Sequence, residues 1–217
     1  MSTFTKILTL YDFSLMTKLR TYQRWYAGTP YEHVEQFVPK KGEIIDLGCG
    51  WGIFANLLAL TSDDRNVYGI DLDKHKVSWA KKTLGPDRTN IQFRVQDIKD
   101  IELPHVQDII LYDVLHHLEE PIQYQILREC YQKLSKDGRL ILKENDVVPR
   151  WKLFLSYLVE MIALGFNITL SSKILWRSRE NWIQILSEIG FIVIHNEHIK
   201  TPYGFFVPHS LFVCKKI

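Results

Sequence analysis

The chain has 217 residues, 46% of them hydrophobic and 24% charged, a length and composition suited to one globular domain with a core that needs no staples. Its 27 Lys and Arg against 25 Asp and Glu leave a net charge of +2, too small for the basic footprint of a dedicated nucleic-acid binder. Three cysteines, Cys49, Cys130 and Cys214, are too few and odd in number for a disulfide framework, which favours a reducing compartment.

Residues 1–28 are rich in aromatics and read as one or two helices outside the main sheet. Lys6, Asp12, Lys18 and Arg20 interrupt each apolar run there, so no cleavable signal is expected and the expected location is cytoplasmic. Thr29-Pro30-Tyr31-Glu32 predicts a helix with Thr29 as cap and Pro30 in the first turn, ending before Pro39. Strand patterns then fall at Glu43–Leu47, Val67–Ile70, Ile91–Val95, Asp108–Tyr112 and Arg139–Lys143. Helical patterns fall at Gly52–Leu60, from Asp73 to Leu84, and at Pro121–Leu134, the last ending at Asp137-Gly138. This alternation implies parallel βαβ units. Trp151 to Gly165 is strongly apolar, with Lys152, Ser156 and Glu160 forming one narrow polar stripe. Such a helix is buried in the protein, in a partner or in a membrane surface, and Lys152 and Glu160 argue against a transmembrane span. Ser178 caps a helix over Arg179–Ile189 that stops at Gly190, and Phe191–His195 with Leu211–Cys214 close the sheet as a hairpin.

Chemistry concentrates in Asp46-Leu47-Gly48-Cys49-Gly50-Trp51-Gly52, a strand running through a glycine-dense turn into a helix. Against the dinucleotide pattern G-x-G-x-x-G, Gly48 and Gly50 fit, but Ile53 stands in the third place and Gly52 is extra. Asp46 beside the turn repels a pyrophosphate and suits a ligand bearing an ammonium group, although it also reads as a simple cap. Asp71 ends the second strand, where a carboxylate accepts both hydroxyls of a ribose. Asp97 ends the third, placed to accept from the exocyclic amine of adenine.

Together with Gly69-Ile70-Asp71-Leu72, Gln96-Asp97-Ile98 and Tyr112-Asp113-Val114-Leu115-His116-His117-Leu118, this turn resembles the successive motifs of class I S-adenosylmethionine-dependent methyltransferases. The resemblance covers Glu43 to Lys143 strongly and Gly190 to Ile217 in pattern only. It implies an α/β fold: a three-layer αβα, Rossmann-like, seven-stranded and mostly parallel sheet in the order 3-2-1-4-5-7-6, with N-terminal helices and a helical insertion after strand 5. S-adenosylmethionine is the implied cofactor and S-adenosylhomocysteine the product. The backbone of Gly48, Cys49, Gly50 and Gly52 is implied to lie under the methionine part and the ribose, with Asp71 on the ribose hydroxyls. Leu72 and Ile98 would cover the adenine, Asp97 and its neighbour Gln96 meet its edge, and Tyr112 and Asp113 line the wall near the sulfonium. Arg24, upstream of the turn, is read as a partner of the cofactor carboxylate. The chain divides into an N-terminal helical cap (1–42), a cofactor-binding core (43–148), an insertion or lid (149–177) and a C-terminal helix with strands (178–217), all one domain.

Transfer of a methyl group from a sulfonium releases a neutral thioether, so the protein must align the acceptor and remove its proton. His116, His117 and Glu144 are the candidate catalytic groups, with Asp146 nearby; each has a plainer role in orienting a loop, packing under the cofactor or orienting substrate. No metal is expected, because adjacent histidines do not converge on one ion. The sequence after the fourth strand lacks the Asn/Asp-Pro-Pro-Tyr/Phe pattern associated with amino-methylating enzymes, and no nucleic-acid partner is expected. Aromatic and apolar flanking segments carrying Arg20, Arg24, Arg150, Lys152, Lys173, Arg177 and Arg179 suit a small or lipid-like hydrophobic acceptor with an anionic group. A lid, a homodimer face and a peripheral membrane contact are open alternatives for these segments, and the chain is read as a monomer or homodimer. The rival functional readings are an NAD-dependent oxidoreductase, disfavoured by Ile53 and Asp97, and a non-catalytic cofactor-binding scaffold.

Overall fold

Alternating side chains along the central strands divide the apolar residues between two faces of one sheet. In β1 (Gly42–Leu47), Ile44 packs on one face, and Ile45 and Leu47 pack on the other. In β4 (Val106–Tyr112), Ile110 and Tyr112 join Ile44, whereas Ile109 and Leu111 join Ile45. β5 (Leu134–Asn145) repeats this, with Ile141 opposed to Leu140 and Leu142. Burial of both faces is what a parallel sheet sandwiched by helices requires. The computed structural model describes residues 2–26, 30–100, 102–147, 175–199 and 209–216.

With β2 (Arg65–Asp71), β3 (Ile91–Val95), β6 (Ile192–Ile199) and β7 (His209–Lys215), the sheet has seven strands among the described residues, ordered β3-β2-β1-β4-β5-β7-β6. Strands β1 to β5 pair in parallel, and β7 runs antiparallel to β5 and β6. The first face is covered by α1 (Thr3–Leu10), α3 (Tyr31–Glu35), α4 (Ile53–Thr61) and α5 (Lys74–Lys82). The second is covered by α6 (Glu120–Lys133) and α7 (Arg179–Ile189). α2 (Leu15–Tyr26) lies against α1. The expected fold and strand order are therefore present.

Boundaries differ where polar residues are buried or turns are absorbed into strands. Asp137 adopts the left-handed conformation, φ 63°, as its turn signal suggests, but the chain pairs with β4 both before and after it, so β5 begins at Leu134 instead of Arg139. Pro30 occupies the cap position of α3, with φ −81°, and Thr29, the predicted cap, lies outside the described residues. So do residues 148–174, which include the apolar Trp151–Gly165 segment, Arg150, Lys152 and Lys173. Among the described residues no helix is long and apolar enough to cross a membrane.

Strand β2 starts two residues before the predicted Val67 because Arg65, a charged residue, is completely buried there. Its guanidinium donates to Glu35 Oε1 at 2.6 Å, Thr61 Oγ1 at 2.7 Å and the carbonyls of Val38, Pro39 and Leu58 at 2.7, 2.6 and 3.0 Å. Arg65 thus staples α3 and α4 to the sheet. Burial would raise the Glu35 carboxyl, but hydrogen bonds from Lys40, Arg65 and Thr61 hold it below its usual 4.5. Its contribution to stability is therefore present above pH 4.5 and is lost as pH falls through the depressed value. Arg65→Met removes the buried partner of Glu35, leaving it Lys40 and Thr61, and takes a donor from three carbonyls, so the melting temperature should fall by on the order of 10 °C at pH 7. A melting curve matching wild type would show the staple to be dispensable.

Candidate active site

The site assembles at the carboxyl ends of the parallel strands, where an open α/β sheet places its ligand crevice. The glycine turn is held first by backbone: Gly48 N–H and Cys49 N–H donate to Ile70 O at 2.7 and 3.0 Å. Asp71 completes it, accepting from Gly50 N–H at 2.7 Å through one oxygen and from Asp73 N–H at 2.8 Å through the other. Gly48 and Gly52 have φ of 76° and 75°, and a Cβ would lie 2.4 Å from Val114 Cγ2 at the first and 2.7 Å from the Phe93 ring at the second. At Gly50, φ 56°, none of the described residues lies within 4 Å of a Cβ, so bare backbone faces open space among them. From the first face, Tyr11 Oη donates to Trp51 O at 2.6 Å and accepts from Asn56 Nδ2 at 2.9 Å, tying α1 to the turn.

Under the turn, Asp46 is 1% exposed, and among the described residues no side chain pairs with its carboxylate; the Ala55 backbone alone acts to lower it. Burial, then the nearby Asp71 charge, pushes its carboxyl up to about 7. The Cys49 thiol is raised well above its ordinary range by burial and by Asp46 and Asp71, so it is no nucleophile in this setting. At the other strand ends, Gln96 N–H donates to Asp71 O at 3.0 Å, Asp97 Oδ1 accepts from Lys99 N–H at 3.0 Å, and Ile98 is buried. Leu72 is 48% exposed beside them, an apolar side chain left on the rim of the crevice.

The second half of the site is the turn after β4. Asp113 takes a left-handed φ of 56°, and Lys143 Nζ, fully buried, donates to both of its oxygens at 2.6 and 2.7 Å. Burial alone would raise the Asp113 carboxyl, but Lys143, His209 and His116 override it and hold it at about 2. Lys143 also lies 5.1 Å above the Tyr112 ring, on the same sheet face. The Tyr112 hydroxyl is buried with no hydrogen-bond partner among the described residues, and burial, with Asp113, drives it well above its ordinary range. Tyr31 and Phe54 pack on that ring at 5.4 and 4.9 Å between centroids. Arg24 donates to Tyr31 Oη at 3.3 Å and acts electrostatically on Tyr112 and Asp113; chiefly Tyr31 keeps its guanidinium firmly charged.

From the opposite face, Glu144 accepts from Val114 N–H and Leu115 N–H at 3.0 and 2.7 Å with one oxygen, and its other oxygen meets His116 Nδ1 at 2.5 Å. Carboxylate oxygens accept, so His116 Nδ1 donates in this contact and Nε2 is left at the far side of the ring. The His117 ring lies 4.0 Å from that of His116, and burial, then His116, pushes it down to about 3, which keeps it neutral at physiological pH. Asp113, His116 and Glu144 offer ligand atoms within 4.8 Å of one another, a trio other than the adjacent histidines weighed from the sequence. In this arrangement both carboxylates already serve Lys143, backbone N–H groups and His116.

The structure thus brings Asp46, Cys49 and Asp71 together under the glycine turn, and Arg24, Tyr112 and Asp113 together after β4. It also gathers residues that sequence reasoning missed. Lys143 was hidden because an interior strand position ordinarily predicts an apolar side chain; its partner is 30 residues upstream. His209, with Nδ1 at 3.0 Å from Asn145 Oδ1, and Ser210, donating at 2.7 Å to the Asp146 already singled out from the sequence, come beside the end of β5 through the β5–β7 pairing, which no local pattern announces.

The sequence pattern of the family described as "Methyltransferase domain" matches residues 44–138. The chain is 23% identical over 130 residues to the carboxy-S-adenosyl-L-methionine synthase of Campylobacter curvus, covering 60% of this chain and 55% of that protein. It is 23% identical over 145 residues to the ubiquinone biosynthesis O-methyltransferase of Coxiella burnetii, covering 65% and 58%. The chain therefore spans little more than half the length of these curated relatives. An S-adenosylmethionine-dependent methyltransferase from Mesorhizobium loti superposes with a TM-score of 0.67 at 20% identity, covering 85% of this chain and 96% of that one. Residues 44–138 accordingly carry the sequence pattern of a methyltransferase domain, and the fold is that of solved S-adenosylmethionine-dependent methyltransferases. The cofactor of that class is S-adenosylmethionine, and the residues present fit it: a buried Asp46 carboxylate with no cationic partner among the described residues suits its ammonium group, and open backbone at Gly50 leaves room for it.

Asp46 gives a pH signature. A carboxyl raised from 3.8 to about 7 costs the ligand-free protein stability progressively as pH climbs from 3.8 to 7, since the unfolded chain ionises first. Pairing with an ammonium group needs the ionised form, so calorimetry should find S-adenosylhomocysteine affinity rising as pH passes upward through about 7. Asp46→Asn should abolish that rise, weaken binding and raise the melting temperature of the ligand-free protein at pH 8. A variant that kept wild-type affinity and pH dependence would remove Asp46 from the binding site.

Proposed function

We propose that the chain transfers the methyl group of S-adenosylmethionine to a small or lipid-like hydrophobic acceptor bearing an anionic group, with His116 as base and Glu144 as its positioning residue. The observation that carries this reading is the buried Glu144–His116 pair, 2.5 Å apart, one turn beyond Tyr112 and Asp113. A carboxylate on Nδ1 fixes the tautomer and strengthens Nε2 as a proton acceptor, which suits a hydroxyl or another proton-bearing acceptor. The cofactor, when bound, supplies an electrophilic methyl group and leaves as a neutral thioether.

The chain's own residues do the rest. The backbone of Gly48, Cys49, Gly50 and Gly52 bears the methionine part and the ribose, and Asp71 accepts from the ribose hydroxyls. Leu72 and Ile98 sandwich the adenine, and Gln96 and Asp97 meet its edge. Asp46 takes the ammonium group and Arg24 the carboxylate of the methionine part. Asp113, neutralised by Lys143, lines the reacting end with Tyr112 without adding a net charge beside the acceptor. His117, neutral and tilted against it, supports the His116 ring. Tyr31, Phe54 and Tyr112 give this end an aromatic wall, and Arg24 a cation, in keeping with an apolar acceptor carrying a carboxylate or phosphate.

Labelled S-adenosylmethionine incubated with lipid and metabolite extracts identifies the acceptor by its labelled product. With that acceptor, His116→Ala should lower kcat by about 10²–10⁴ while S-adenosylhomocysteine still binds. Full kcat in His116→Ala would exclude it as the base, and labelling confined to polar, water-soluble acceptors would overturn the acceptor class.

A further inference from the structure

His116 is carried on the short turn Leu115–His117, closed by backbone bonds from His117 N–H to Val114 O at 3.2 Å and from Leu118 N–H to Leu115 O at 2.9 Å. So short a turn does not by itself fix the direction of a ring. Glu144 holds its entry through the N–H groups of Val114 and Leu115. The carbonyl side is held from α6. Gln123, fully buried, donates through Nε2 to Leu115 O at 2.8 Å and to Leu118 O at 3.1 Å, so one amide brackets His116 on both sides along the chain. His116 O, between them, accepts from Leu175 N–H at 2.8 Å.

The amide works in one orientation. Two carbonyls can only accept and a guanidinium can only donate, so Nε2 must face the turn and Oε1 must face Arg177. Arg177 Nε donates to Gln123 Oε1 at 2.9 Å. The rest of that guanidinium is fixed by Asn181 Oδ1 at 2.8 Å, on α7, and by Glu120 Oε1 at 2.9 Å, three residues before Gln123 on α6. The Trp182 ring lies 5.6 Å from it. The amide is therefore set from one side by α6 and α7 and passes that order to the turn on the other.

We propose that Gln123, oriented by Arg177, is a positioning residue for methyl transfer. It clamps the carbonyls of the turn whose N–H groups Glu144 holds, and so aims the His116 ring. This rests on the reading of His116 as the base, and Gln123 acts through that ring.

Gln123→Glu separates the clamp from simple packing. It keeps the size of the side chain and gives Arg177 a charged partner, but turns an acceptor toward Leu115 O and Leu118 O. With labelled S-adenosylmethionine and the hydrophobic fraction of a lipid extract, its transfer rate should fall by about tenfold or more, with the thermal shift given by S-adenosylhomocysteine unchanged. The His116 Nδ1 proton resonance, identified by its loss in His116→Ala, should move upfield as the contact with Glu144 lengthens. Added to His116→Ala, the same change should cost no further rate, because the two residues act as one unit. Gln123→Met, which fills the space without a charge, should behave alike and carries the test if Gln123→Glu folds poorly. A wild-type rate with the resonance unmoved, or a second full loss on top of His116→Ala, would overturn the proposal and leave the base reading standing. Full rate in His116→Ala would instead reject the base, and the resonance alone would then decide whether Gln123 aims the ring.

Discussion

Two consecutive residues at the end of β5 hold the turn after β4 from opposite sides of the sheet, and the candidate site depends on that grip. Strand alternation sends Lys143 to the face that carries Tyr112, where it fixes Asp113 in a left-handed conformation. It sends Glu144 to the other face, where one carboxylate satisfies two backbone N–H groups and orients His116. Neither ion is exposed, and each would be costly without its partners. The turn is therefore set by long-range electrostatics across two neighbouring parallel strands, with Asp113 N–H donating to Lys143 O at 2.9 Å as the last rung between them.

The other half of the crevice is built on an opposite principle. Asp46 is buried with only the Ala55 backbone acting to lower its carboxyl, and Asp71 raises its cost further while pinning Gly50. A fold optimised only for stability would have an amide or an apolar side chain at that place. Stability surrendered at a binding site is common, and it is recovered when a cation arrives. The two halves differ: Lys143 and Glu144 have charged or polar partners in the one, and Asp46 has no cationic partner among the described residues in the other.

Much of the fold was legible because period-two apolar runs separated by helical patterns leave few topologies, and the glycine turn with Asp71 narrowed them further. β3 over Ile91–Val95 and α7 capped by Ser178 and stopped at Gly190 lie where the sequence places them, since apolar alternation and cap chemistry are local. Arg65 and Lys143 were illegible for the converse reason. Each is charged yet buried, and its partners come from Glu35 and Asp113, far along the chain. β6 ran beyond its predicted end at His195 to Ile199 because Asn196, Glu197 and His198 are polar while their backbone pairs with β7. Within the site, the acids at strand ends announced themselves, but the identity of the group each one would hold did not. His116 and Glu144 could be named from the sequence; that they touch required the fold.

The most direct test is a crystal structure of the protein with S-adenosylhomocysteine. The account predicts that the ligand crosses Gly48–Gly52 with its amino group beside Asp46 and its sulfur at the Tyr112–Asp113 turn. Density for the ligand anywhere else on the molecule, with that crevice left to solvent, would contradict it.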